Sequence, residues 1–509
     1  MNHTRHHEGC GNYGPPLVSR RDMLRRAGAG FGSLALAAML ADDAWAASNQ
    51  QSAISNQTSD IEHRTSNIAL PHFAPRAKSV IFLFMGGGPS QVDTFDPKPL
   101  LTELHGKDVP ESIAKGVPRI ARAPLHGLKA SPYTFAKYGQ SGIDVAEIFP
   151  YVAGCVDDLC VIRSMKHESP IHAPAEYIAL TGTGVGDRPS LGAWVTYGLG
   201  SENRDMPAFV VMIANGDATR GPGWAAGFLP PRYQGTRVYP EGIKNITMPR
   251  GYTDESRRRQ LTLIERLNEN HLQRLGGAAP ECKGASGASG GELEARIRSY
   301  ELAFRMQMAA PEVFDLAQES AATKELYGVD PRDPQSPGDG HKATNEYGTC
   351  CLLARRMVER GVRFVQLRHG QWDQHSDLEK KHREQATHVD RPIAGLLRDL
   401  KSRGLLDETL VIWGGEFGRT PAAQGTGRDH SPSGYSLWLA GAGVRGGHVI
   451  GRTDDVGYAA IENPIHPQDL HATILAALGL DQYKLTYTHH NRDEIATVNG
   501  ARVVREAFA

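Results

Sequence analysis

The chain predicts an α/β fold built on a largely parallel sheet, and three observations support this. Six short, nearly uninterrupted apolar runs recur: "SVIFLFM" from Ser79, "LCVIRSM" around Val161, "AFVVMI" from Ala208, "VRFVQL" from Val362, "TLVIW" from Thr409 and "YSLWLAG" from Tyr435. Such runs fit strands covered on both faces, as in a parallel sheet between helices. Helical patterns lie between them, and strand–helix alternation marks parallel βαβ units. Two of the helices also stop cleanly. "NEYGTCCLLARRMVERG" closes at Gly361 just before "VRFVQL", and "HPQDLHATILAALG" closes at Gly479. Both glycines suit a helix C-terminus.

Two further segments have helical spacing. "DESRRRQLTLIERLNENHLQRL" sets Leu263, Ile264, Leu267 and Leu272 near one face, with Asp254 as its N-cap. "ELEARIRSYELAFRMQM" repeats Leu293, Ile297, Tyr300, Phe304 and Met308. The Gly/Pro-rich stretches "GGAAPECKGASGASGG" and "VDPRDPQSPGDGH" read as surface loops. Together these predict a helical hairpin inserted at about 253–341. No internal repeat is visible.

The 509 residues are 40% hydrophobic and 22% charged, with a net charge of −1. This is globular composition, and it gives no electrostatic reason to expect nucleic acid as a partner. No apolar run reaches the roughly 20 residues of a membrane span, so none is expected in the mature form.

The first 46 residues read as an address. Arg20 and Arg21 precede an apolar run from Ala27 to Leu40, and Ala44-Trp45-Ala46 forms an A-x-A cleavage site. This resembles a twin-arginine export signal, which implies the twin-arginine translocase as a partner and a periplasmic or secreted location. Residues 47–77 are polar and are expected to be a disordered spacer before a domain at 78–509. Cys10 belongs to the leader. Cys155 and Cys160 are near enough in sequence to pair in an oxidising compartment, while adjacent Cys350 and Cys351 fit packing in a helix.

Ligands of open parallel sheets bind beyond the carboxyl ends of the strands. Four runs end in chemistry-bearing residues. "GGGPSQVDTFDP" brings Ser90, Asp93 and Asp96, and "KHESPIHAPAEYIALTG" brings His167, Glu168, His172 and Glu176. "RHGQWDQHSD" brings His369, Asp373 and His375. "GGEFGRTP…GRDHSP" brings Glu416, Arg419, Arg428, Asp429 and His430. Carboxylate plus imidazole suits Zn, Mn or Fe, with Ca or Mg where oxygen dominates. In "WDQHSD" the D-x-H spacing turns Asp373 and His375 the same way if extended.

"FLFMGGGPSQVDTFDPKP", "SPIHAPAEYIALTGTGVGDRPSLGAWVTYGLG", "GPGWAAGFLPPRYQGT", "WDQHSD", "WGGEFGRTP", "GRDHSPSGYSLWLAGAGVRGGHVIGRTDD" and "HPQDLHATILAALGL" resemble a bacterial secreted family, domain of unknown function 1501. The resemblance runs from about Lys78 to Gly479. It implies an alkaline phosphatase/sulfatase-like three-layer sandwich with helices on both faces of the sheet. In that superfamily Asp and His at strand ends hold metal, and a nucleophile attacks phosphorus or sulfur.

"HAPAEYIALTG" resembles the sulfatase segment, with His172 at the nucleophile position and Glu176 at the arginine position. "WGGEFG" falls on a metal motif with Glu416 at the Asp and Phe417 at the His, and His430 matches a later ligand. Asp373 and His375 fall near the Asp…His pair of the first metal site. Gly86 stands where a metal-binding Asp is usual, and Asp93 replaces it only by folding back. Phenylalanine ligates no metal, and an imidazole cannot perform the modified-cysteine sulfatase reaction.

These departures leave a one-metal site of Asp373, His375, Glu416 and His430, with Zn expected and Ca or Mn as alternatives. The implied activity is periplasmic hydrolysis of small-molecule or polysaccharide phosphate or sulfate esters. His172 serves as nucleophile or ligand. Arg419 and Arg428 clamp the anion, and Ser90 with the Gly87 and Gly88 amides adds oxyanion contacts. The other reading is a secreted binding or scaffold protein that kept the fold and lost catalysis.

Overall fold

All six apolar runs are strands, and all six join one eight-stranded sheet. In a computed structural model the strands are β1 Ser79–Met85, β2 Leu159–Met165, β3 Phe209–Ala214, β4 Thr236–Val238, β5 Phe364–His369, β6 Thr409–Gly414, β7 Gly418–Gln424, β8 Gly427–Ser431, β9 Tyr435–Ala440 and β10 His448–Ile450. The helices used below are α1 His172–Thr181, α2 Leu191–Leu199, α3 Asp339–Glu359, α4 Leu378–Ser402 and α5 Pro467–Ala477.

The structure describes residues 71–509 except 119–123, 185, 204, 215, 217–222, 330–338 and 499, with only scattered positions between 241 and 311. The expected leader, residues 47–70 of the expected spacer, and most of the expected helical insertion with its cap Asp254 lie outside the described residues. No described helix is long and apolar enough to cross a membrane.

The sheet order is β10-β2-β9-β6-β1-β5-β3-β4. β1 pairs in parallel with both β5 and β6, and β9 runs antiparallel to its neighbours β2 and β6. Alternation along β1 shows why the run is apolar throughout. Ile81, Leu83 and Met85 enter one core, and Val80, Phe82 and Phe84 enter the other. Cys350, Leu353, Ile393 and Leu397 from α3 and α4 fill the first core. Trp194 of α2 and Leu470 and Ile474 of α5 fill the second. Each such buried side chain contributes roughly 1.5–3 kcal/mol, so the three layers follow from the burial of both sheet faces.

Two details differ from the sequence expectations. Cys155 packs in the first core and Cys160 in the second, on opposite faces of the sheet, and both are free thiols. α4, 25 residues long, carries Pro392 inside it. That proline and the dense charge around it hide the helical pattern in the sequence.

The reversed strand matters for the site. Tyr435, at the start of β9, pairs with Met165, at the end of β2. The β7–β8 hairpin that precedes β9 is therefore delivered to the edge where the parallel strands end.

Candidate metal centre

Four strand ends meet at this edge. β1 leads into Gly86–Gly88, β2 into His167 and α1, β5 into Asp373 and His375, and β6 into Glu416 and the hairpin. The chain passes very close to itself here. Gly87 and Gly88 have φ of +112° and +80°. A Cβ on Gly87 would lie 2.6 Å from the Asp373 amide nitrogen, and one on Gly88 would lie 2.6 Å from the Phe417 ring. Only glycine fits such positions.

Three imidazoles surround Asp373. His375 Nε2 is 2.9 Å and His430 Nε2 3.2 Å from Asp373 Oδ1, and His172 Nε2 is 3.2 Å from Oδ2. His375 Nε2 and His430 Nε2 are 3.0 Å apart. In each ring the other nitrogen faces an acceptor. His172 Nδ1 donates to Glu416 Oε1 at 2.7 Å, His430 Nδ1 to the Pro170 carbonyl at 2.7 Å, and His375 Nδ1 to Gln424 Oε1. With Nδ1 engaged, each Nε2 faces the carboxylate, donating to it when protonated and offering a lone pair to a shared cation when not. An imidazole held through its far nitrogen is typical of a metal-ligating histidine.

His172, Asp373 and His430 form one group of donors lying within 4.8 Å of one another, and His375, Asp429 and His430 form another. The two groups share His430.

The surroundings hold this arrangement rigid. Glu416 is fully buried, and its carboxylate accepts the Gly87 amide at 2.9 and 3.1 Å. His167 accepts from the Ser169 amide at Nδ1 and so donates from Nε2 to the Glu416 carbonyl, at 2.6 Å. Phe417 stacks on His430 at 4.6 Å and packs on His172 at 4.9 Å. Phe417 thus orients two donor rings without ligating, a role its position after "GGE" did not reveal. The Asp373 side chain is 40% exposed, so the cluster opens to solvent on that side.

A family model described as "Protein of unknown function (DUF1501)" matches residues 77–508. The chain belongs to this family. No curated protein matches this DUF1501 chain in sequence. Among solved structures it is similar to the phosphonate monoester hydrolase SpPMH from Silicibacter pomeroyi. That match has 14% identity and a TM-score of 0.32, and covers 84% of this chain and 76% of that one. It is also similar to the lipoteichoic acid synthase LtaP from Listeria monocytogenes, at 10% identity and a TM-score of 0.30, covering 83% and 77%. A TAB5 alkaline phosphatase mutant with Mg bound in its M3 site matches at 11% identity and a TM-score of 0.31, covering 81% and 100%.

The donor set of this DUF1501 chain fits a divalent transition metal. Three imidazole nitrogens and one carboxylate are borderline donors, suited to Zn, Mn or Fe; the nitrogen majority disfavours Ca and Mg. His172 Nε2 is buried and faces Asp373 Oδ2 at 3.2 Å, so a cation shared with that carboxylate would take the place of its proton.

Several expected site residues have other work. Glu416 stands behind His172, as the partner of its Nδ1, instead of beside Asp373. Asp93 is buried and spends both oxygens on Arg428, which donates from Nε at 2.7 Å and from Nη2 at 3.1 Å. Arg428 gives its remaining donors to the Thr420, Pro421, Lys129 and Ala130 carbonyls, so neither member of the pair reaches a ligand. Arg419 is also buried. It donates to the Gly87, Gly88, Trp372 and Arg428 carbonyls and, at 2.7 Å, to Asp373 Oδ1. It is a brace for the carboxylate, not an anion clamp. Ser90 donates to Asp93 Oδ2. The Gly87 and Gly88 amides donate to Glu416 and to the Met85 carbonyl, so neither is left for an oxyanion. His172 is wedged between Asp373 and Glu416, with each ring nitrogen facing one of the two carboxylates.

The titration of the cluster follows from its geometry. Burial disfavours the Asp373 carboxylate, but hydrogen bonds from His172, His430 and Arg419 outweigh this and hold its pKa far below the usual range. Burial likewise disfavours the His172 cation, yet Asp373 and Glu416 push its pKa up to about 9. Desolvation lowers His430.

A pKa raised from 6.5 to about 9 on folding stabilises the cation-free protein fully below pH 6.5. That contribution is lost as pH rises through 9. Denaturation of chelator-treated protein should therefore show roughly 2–3 kcal/mol less stability at pH 9.5 than at pH 6 from this group. A cation held by His172 Nε2 would take the place of its proton, so cation affinity should rise over the same window.

Proposed function

We propose that this DUF1501 chain is a metal-dependent hydrolase of phosphate or sulfate esters, exported to the periplasm by its twin-arginine-type leader. The observation that carries this reading is the convergence of the His172, His375 and His430 Nε2 atoms on Asp373, each ring held through its other nitrogen. The resemblance of "HAPAEYIALTG" and "WGGEFG" to sulfatase-type motifs supplies the reaction class.

A divalent cation bound here supplies Lewis-acid polarisation of an ester oxygen and activation of water at neutral pH. The protein's own residues prepare the place. Glu416 keeps the His172 proton on Nδ1, and Arg419 fixes Asp373 from behind. Phe417 keeps water from the rear of the two rings it packs against. The exposed edge at Asp373 and His375 is the side from which an ester approaches.

The test combines metal analysis of purified protein with hydrolysis of p-nitrophenyl phosphate, bis-p-nitrophenyl phosphate and p-nitrophenyl sulfate. The expected result is a stoichiometric transition metal, with turnover of at least one ester that is lost on chelation and restored by Zn²⁺ or Mn²⁺. Metal without turnover of any ester would favour the binding or scaffold reading. Protein that takes up no metal would end the proposal.

A further inference from the structure

The two donors Asp373 and His375 flank a residue that points the other way. Gln374 is 2% exposed, and its side chain turns into the core as its neighbours turn toward the centre. There its Oε1 meets His382 Nδ1 at 2.7 Å. His382 lies on α4, one turn from the helix start, and is fully buried. The Ser90 amide donates to His382 Nε2 at 3.4 Å, so Nε2 carries the lone pair and Nδ1 carries the proton given to Gln374. The Gln374 amide nitrogen then donates to the Gln371 carbonyl.

The turn that these bonds close is not a relaxed one. Gln371 has φ of +71°, a conformation that side-chain-bearing residues seldom adopt unless held there. The remaining bonds of the segment fix its backbone from other sides. The Trp372 amide donates to the Gly86 carbonyl at 3.2 Å, and the Arg428 amide donates to the Gln374 carbonyl at 3.2 Å. The Gln374 side chain ties the stretch between the two donors to α4 through His382, and the Trp372 ring meets the same imidazole edge-on at 4.9 Å.

We propose that His382 is the positioning residue of the centre, setting Asp373 and His375 through its hydrogen bond to Gln374. It touches neither donor. It is the third layer behind a cation, after the donors and Gln374, and it couples the β1 turn at Ser90 to the β5 turn through one neutral ring. The inference rests on the metal-centre reading above.

The test uses Co²⁺ as the probe, with equilibrium affinity and the visible absorption band as readouts. It compares wild type with His382→Leu, His382→Asn and Leu396→Ala. Leu removes the donor to Gln374, whereas Asn retains an N–H near Nδ1. Leu396 is a buried residue of the same helix and reports lost packing alone.

His382→Leu should weaken Co²⁺ by ~10–100-fold, the usual cost of an outer-shell partner, and shift the band. His382→Asn should recover most of the affinity and the wild-type spectrum. Leu396→Ala should lose stability while keeping both. An unchanged affinity and band in His382→Leu would overturn the proposal, as would equal losses in His382→Leu and Leu396→Ala. Wild type that binds no Co²⁺ would remove the metal centre itself, and this inference with it.

Discussion

Asp373→Asn should abolish stoichiometric metal binding and take ester hydrolysis with it. Asp373 is the carboxylate that all three Nε2 atoms face, at 2.9 to 3.2 Å. Asparagine keeps the shape and one acceptor oxygen but removes the negative charge. It also turns an N–H toward imidazole lone pairs or toward the Arg419 guanidinium, which donates to Oδ1 at 2.7 Å. The loss of affinity should exceed the ~10–100-fold that follows removal of an outer-shell partner. Titration calorimetry with Zn²⁺ and metal analysis after gel filtration would read the effect. Wild-type affinity in Asp373→Asn would mean that the cation, if any, sits elsewhere.

Arg428→Met should be the most destabilising single substitution at this edge. The Asp93 carboxylate and the Arg428 guanidinium are both completely buried. Burial alone would raise the Asp93 pKa, yet the guanidinium's charge and hydrogen bonds, with the Ser90 hydroxyl, hold it below its ordinary value. Removing one partner leaves a buried charge uncompensated, which costs about 3–5 kcal/mol. The Thr420, Pro421 and Lys129 carbonyls lose their donor as well. Equilibrium denaturation should therefore show a lower midpoint at an unchanged slope. Adding Asp93→Asn should return part of the loss, because the stranded charge goes with it. A midpoint near wild type for Arg428→Met would show that the pair does not brace the hairpin.

Much of the architecture was legible in the sequence because burial on both faces leaves a plain signature. The runs at Ser79, Thr409 and Tyr435 are apolar at every position that the two cores require. The strand-end rule located the edge, and D-x-H after β5 and D-H on β8 located three of the residues that meet there, Asp373, His375 and His430. What the spacing could not assign was the partner of each charge. Asp93 and Arg428 are 335 positions apart, and Glu416 and His172 are 244 apart. Whether a strand-end acid faces a cation, a guanidinium or an imidazole depends on strand order, which no local pattern encodes. Cys155 and Cys160 show the same limit, since five residues of chain suffice to cross from one face of the sheet to the other. α4 was hidden by Pro392, and with it His382.

The most direct test of the metal centre is X-ray absorption at the edge of whatever transition metal copurifies with the protein. The prediction is a first shell of nitrogen and oxygen at about 2.0–2.1 Å, with outer-shell scattering from at least two imidazole rings. Either signal should collapse in Asp373→Asn. A shell without imidazole scattering, or one that survives that substitution unchanged, would contradict the assignment of His172, Asp373, His375 and His430 to a common centre.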